Sequence, residues 1–101
     1  MNRTKADLVM ALALLHHLAI GKNIPFSMIA DMFHHLGQTL IIEFIPKDDE
    51  KVKLMLTGKK DIYKEYNEEI FLTAFEKYFS IAEKVTIPGS QRILFLMRKN
   101  S

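Results

Sequence analysis

The sequence predicts an α/β fold with the element order β-α-β-α-α-β-β. Three observations carry that expectation. Leu40 to Ile45 is apolar except for Glu43, and an apolar, β-branched run without alternation reads as a strand covered on both faces, as at the centre of a parallel sheet. Residues 7–14, 25–36 and 40–45 read in turn as strand, helix and strand, the βαβ pattern with its right-handed crossover. Finally, Pro88-Gly89-Ser90-Gln91 separates two short strands by a turn tight enough to make them antiparallel neighbours or near neighbours.

The chain of 101 residues is read as a single domain over 1–101. Its hydrophobic content of 49% and charged content of 26% suit a soluble globular protein. Fourteen basic and twelve acidic residues are interspersed, so no basic stripe points to nucleic acid as a partner. With no cysteine, a disulfide framework, a thiolate zinc site and a cysteine nucleophile are excluded. Arg3 and Lys5 before the apolar run Leu8 to Leu15 have the outline of a signal peptide. Asp7 interrupts that basic region, His16-His17 ends the run, and no small-x-small cleavage pattern follows. The run is too short to cross a bilayer. A cytoplasmic protein with no membrane partner is the expectation.

Taken in order, Asp-Leu-Val-Met-Ala-Leu-Ala-Leu (7–14) is the first strand, although alanine and leucine also suit a helix. Leu15 to Lys22 is a connection with Gly21 as turn residue. Asn23-Ile24-Pro25 starts a helix over 25–36, with proline early where its missing N–H costs nothing. Phe26, Ile29, Ala30, Phe33 and Leu36 fall at helical spacing, and Gly37 is placed to stop the helix at C′. The central strand follows, and Pro46 ends its ladder. Lys47, Asp48 and Asp49 then lie past its carboxyl end, where open α/β sheets keep their binding crevices. Asp48 and Asp49 suit the first turn of a short helix with Val52, Met55 and Leu56 on its apolar face. Thr57-Gly58-Lys59-Lys60 closes it. Asn67 is a good N-cap for the next helix, with Tyr66 and Phe71 spaced as a hydrophobic staple. That helix is read through Ile70, Phe71, Ala74, Phe75, Tyr78 and Phe79. Ile81 to Ile87 and Arg92 to Arg98 are the closing strands.

With these residues in place a resemblance becomes visible. Ala-Asp-Leu-Val-Met-Ala-Leu-Ala-Leu-Leu-His-His-Leu (6–18) resembles the fourth strand and following loop of class I, Rossmann-like S-adenosylmethionine-dependent methyltransferases. Leu-Ile-Ile-Glu-Phe-Ile-Pro-Lys-Asp-Asp (40–49) is similar to the fifth strand of one subgroup that includes nodulation-protein-like members. Residues 66–79 resemble the helix after it, and Ile-Pro-Gly-Ser-Gln-Arg-Ile-Leu-Phe-Leu (87–96) the closing hairpin. The resemblance implies a partial sheet in the order 1-2-4-3 with the last strand antiparallel. It implies a domain equivalent to the second half of the enzyme, with the cofactor-binding first half absent. The family's first strand ends in a glycine-rich turn, whereas the four glycines here, at 21, 37, 58 and 89, make no GxG. The implied function is a methyltransferase-like fragment that neither binds S-adenosylmethionine nor methylates alone. Two alternatives stand beside it: a non-enzymatic dimerisation or interaction module, and one half of a split active methyltransferase. Only Ala13 and Leu14, at the end of the first strand, remain as cofactor-binding candidates, and no metal is implied.

The resemblance places His16 and His17 in the family's crevice, where they are candidates for acid–base help or substrate contact. One buried and one solvated loop histidine is the plainer reading. Glu43, buried in an apolar run, needs a partner. It is either a carboxylate that orients a substrate amine or a neighbouring histidine, or a structural one satisfied by backbone or Lys47. His34 and His35 point about 100° apart on a helix and cannot easily share one metal; they favour the C-terminal dipole. Asp48, Asp49 and Glu50 read as a solvated helix start, and Lys59, Lys60 and Lys64 as a solvated loop. Phe71, Phe75, Tyr78 and Phe79 read as core, with Tyr63 and Tyr66 as packing. If the first strand has lost its outer neighbour, it is a template for another chain. The expected partner is a second copy joined through the 7–14 edge, or a separate N-terminal half.

Overall fold

A computed structural model describes residues 6–57 and 66–100. Arg3, Lys5, Gly58, Lys59, Lys60, Tyr63 and Lys64, weighed above, lie outside the described residues. The strands are β1 (Ala6–Ala11), β2 (Gly37–Phe44), β3 (Phe79–Thr86) and β4 (Ile93–Lys99). The helices are α1 (Phe26–His34), α2 (Glu50–Leu56) and α3 (Glu68–Phe75), with a π turn at His17–Gly21.

The four strands form one sheet in the order β1-β2-β4-β3, as expected. β1 and β2 are parallel in a register that sets Val9 beside Leu40 and Ala11 beside Ile42. β4 runs antiparallel to both β2 and β3. Paired residues share a face, so Ala11, Leu40, Ile42, Phe44, Ile93, Phe95 and Met97 form one buried surface. Against it pack Phe26, Ile29, Ala30 and Phe33 of α1 and Phe71, Ala74 and Phe75 of α3. Phe71 is the hub: its ring meets those of Phe26, Phe44, Phe75 and Phe95 at centroid separations of 4.7–5.6 Å.

The expectation of a central strand covered on both faces is corrected. Leu40, Ile42 and Phe44 are buried beneath helices, but Ile41 on the opposite face is only half-buried. Its neighbour Met10 is 57% exposed, and Leu8 47%. Both crossovers, β1 to β2 and β2 to β3, step the same way across the sheet. With one handedness they set α1 and α3 on the same side, and the other face receives no helix among the described residues.

Four boundaries also move. β1 ends at Ala11 rather than residue 14, because Ala13 takes a left-handed conformation (φ 54°) that turns the chain. Leu15 to Lys22 is helical rather than a plain connection, and Lys22 N–H donates to His17 O across five residues. Gly37 is not a C′ stop: His35 caps α1, and Gly37 opens β2 opposite Ala6. α3 ends at Phe75, not Phe79. The spacing of Phe75 and Phe79 mimics a further helical turn, but Phe79 starts β3 opposite Lys99 and keeps a ring contact of 6.1 Å with Phe75.

Caps follow the sequence more closely. Asn67 accepts from Ile70 N–H at 2.9 Å at the start of α3, and Asp49 accepts from Lys51 N–H at 2.9 Å at the start of α2. Tyr66 and Phe71 meet through Phe44 and Phe26, whose rings touch both. The Tyr66 hydroxyl donates to Ile45 O just past the end of β2.

Candidate functional site

The carboxyl ends of β1 and β2 lie side by side, and the segments leaving them are drawn together by one carboxylate. Glu43 is 7% exposed. Its Oε1 accepts the Ala13 amide at 2.8 Å, and its Oε2 lies 3.9 Å from Nη1 of Arg92. A backbone donor and a nearby guanidinium supply what a buried carboxylate requires. The backbone alternative set out for Glu43 is therefore present, with Arg92 as the charged neighbour.

Arg92 enters from the β3–β4 turn, immediately before β4. It grips Asp49 with two bonds, Nε to Oδ2 at 2.8 Å and Nη2 to Oδ1 at 3.1 Å. This parallel pair suits a planar guanidinium and a carboxylate. Its hydrogen bond holds the Asp49 carboxyl below its ordinary range, and Asp49 in turn raises Arg92. Asp49 is thus both the cap of α2 and the anchor of the closing hairpin. An open cleft of about 310 Å³ runs along this junction, lined by Asp48–Lys51 and Gly89–Arg92.

His16 and His17 separate as the plainer reading had it. His16 is 2% exposed and His17 is exposed, with ring centroids 4.3 Å apart. Burial lowers the His16 pKa, and His17 and Arg92 lower it further. Its Nδ1 is buried and has no hydrogen-bond partner among the described residues. Ala13 and Leu14 are both exposed, and the Ala13 amide is committed to Glu43.

His34 and His35 lie elsewhere. They end α1 just before Gly37, which faces the start of β1, whereas His16 follows the end of β1. The length of the parallel strands separates the two histidine pairs, so they do not form one site. His34 rests its ring on Tyr78 at 4.9 Å. Sequence reading did not anticipate the Arg92–Asp49 pair. Arg92 was legible only as a strand end, and a contact across 43 residues leaves no local signature.

The fold and site define a small α/β unit with a carboxylate–guanidinium cluster at the carboxyl end of its parallel strand pair. Over 99 residues the chain is 41% identical to the nodulation protein NoeA of Rhizobium meliloti (strain 1021), a match covering 98% of this chain. The chain spans 21% of that relative's length. No family model matches the sequence, and no solved structure matches it significantly. Among the described residues no helix is long and apolar enough to cross a membrane.

Proposed function

We propose that the chain is the second half of a Rossmann-like methyltransferase sheet and does not hold S-adenosylmethionine by itself. The observation that carries this reading is the strand order β1-β2-β4-β3 with β4 reversed between two strands of common direction. That is the arrangement the resemblance implies. In such sheets ligands sit outside the carboxyl ends of the strands, which is where Glu43, His16, Asp49 and Arg92 converge.

The residues present do not suit the cofactor unaided. Ala13 has its amide bound by Glu43, and the sequence carries no GxG turn for a close backbone approach. Within this reading Glu43 is a positioning residue that fixes the loop from Leu12 to His16. His16, His17 and Glu43 form part of a methyl-acceptor crevice completed by a glycine-rich segment outside these 101 residues. The similarity to a nodulation protein extends the reading to a part in that process.

Calorimetric titration of the chain with S-adenosylmethionine tests the proposal. No heat of binding is expected from the chain alone, and saturable binding on adding a glycine-rich methyltransferase half. Binding by the chain alone overturns it. A second reading, an interaction module that pairs through β1, is favoured by one observation: β1 is an edge strand whose Leu8 and Met10 are about half exposed.

A further inference from the structure

The last turn of α1 carries three side chains that the carboxyl-end cluster does not use. Asp31, His34 and His35 stand at positions i, i+3 and i+4, the spacings that bring helix side chains together. Each offers one ligand atom, and the three atoms lie within 4.8 Å of one another. Two adjacent histidines point apart on a helix, but Asp31, one turn earlier, lies beside both.

We propose that Asp31, His34 and His35 form a binding site for one divalent transition-metal ion of zinc's class. The donor set selects the ion. Two imidazoles and a carboxylate suit zinc, copper, nickel or cobalt, whereas magnesium and calcium prefer oxygen ligands throughout. Three protein ligands leave a fourth position for solvent.

The surroundings support the assignment in three ways. The His35 ring bonds through Nδ1 to the Asp31 carbonyl at 2.8 Å. A carbonyl only accepts, so Nδ1 carries the proton and Nε2 carries the lone pair. A second bond of this kind is what orients metal-binding histidines. The His34 ring is set against Tyr78 and Phe79, with centroids at 4.9 and 6.4 Å, which restricts its orientation before any ion arrives. The site also sits at a helix C-terminus, whose partial negative charge attracts cations.

Tetrahedral zinc with bonds of about 2.0–2.2 Å sets its ligands roughly 3.4 Å apart. The present spread of up to 4.8 Å is taken over one ligand atom of each residue; with His35 Nδ1 held by the Asp31 carbonyl, Nε2 is the atom that has to close on Asp31 and His34. The exposed Asp31 and His35 side chains, 54% and 66% accessible, leave room for that closure. The site is independent of the methyltransferase reading, because it lies at the opposite end of the parallel strands from Glu43.

Calorimetric titration of the untagged chain with Zn²⁺ tests it. One ion per chain is expected, undisturbed by excess Mg²⁺. His35→Ala and Asp31→Asn should each weaken binding about tenfold or more. Both positions are exposed, so the variants fold, and circular dichroism checks that they do. His17→Ala, at the other exposed histidine, should leave binding unchanged. Zn²⁺ should raise the melting temperature of the parent chain and not that of His35→Ala. No uptake overturns the proposal, as does uptake that survives the α1 substitutions or is lost in His17→Ala.

Discussion

The Glu43 carboxylate accepts the Ala13 amide across thirty residues at 2.8 Å, and Ala13 stands at φ 54° to deliver it. An alanine in the left-handed region is strained by about 1–2 kcal/mol. The strain persists because the buried carboxylate requires the donor. Glu43→Ala removes the acceptor and leaves the amide and Arg92 without it, costing about 1–3 kcal/mol. Glu43→Gln keeps an acceptor and should lose less. Ala13→Gly relaxes the backbone and should gain about 0.5–1 kcal/mol. Urea unfolding monitored by circular dichroism reads all three. A Glu43→Ala protein as stable as the parent would show that the contact orders nothing.

Asp49 ties stability to acid. The Arg92 hydrogen bond holds its carboxyl below its ordinary value of 3.8. A carboxyl depressed on folding stabilises fully above its unfolded pKa and loses that contribution as pH falls through the folded one. The parent chain should therefore weaken below about pH 4. Asp49→Asn retains a capping oxygen but not the ion pair. It should be less stable than the parent at pH 7 and show a shallower loss on acidification. Melting curves between pH 3 and pH 7 check this, and parallel profiles for the two proteins contradict it.

His16 acts in a different window. Burial, His17 and Arg92 all favour its neutral form. In the unfolded chain it takes a proton at its ordinary 6.5, so acid draws the protein toward unfolding first through this group. Its contribution is complete above about pH 6.5 and declines as pH falls through the folded value. Proton magnetic resonance should show the His16 ring titrating below 6.5. His16→Leu should flatten stability between neutral and mildly acid pH. Among the described residues its Nδ1 has no hydrogen bond to lose, so its cost at pH 7 should be under about 1.5 kcal/mol. A His16 ring that titrates above 6.5 contradicts the burial described here.

What was legible in the sequence was set by local pattern. The apolar run at 40–45, the proline that ends it and the cap at Asn67 are local signals, and each is realised close to where it was read; Asp49, expected in the first turn of α2, caps that helix instead. Failures occurred where one pattern serves two structures. Phe75 and Phe79 are four apart, as helix neighbours are, yet the second opens a strand. Leu12 to Leu14 continue an apolar strand in composition, yet Ala13 turns left-handed because Glu43 binds its amide. An apolar central strand implied cover on both faces, while handedness placed both helices on one. Arg92 with Asp49 depends on what the fold brings together across 43 residues, which spacing alone does not reveal.

That uncovered face bears on association. Among the described residues β1 is one of the sheet's two edge strands, and Leu8, Met10, Leu12 and Leu14 are 38–57% exposed along it and just beyond. Val85, on the far strand, is 47% exposed on the same open face, since it pairs with Leu94, which pairs with Glu43 rather than with a core residue. An apolar edge with unpaired amides and carbonyls is a template for another strand, and two copies related by a twofold axis would extend the sheet through it. At micromolar concentration, light scattering should report a mass above the 11.7 kDa of one chain. A lysine on an edge strand opposes such pairing. Met10→Lys, at a position already exposed, should shift the mass to the monomer without altering the circular dichroism spectrum. If the parent chain is itself a clean monomer, β1 is not an association edge.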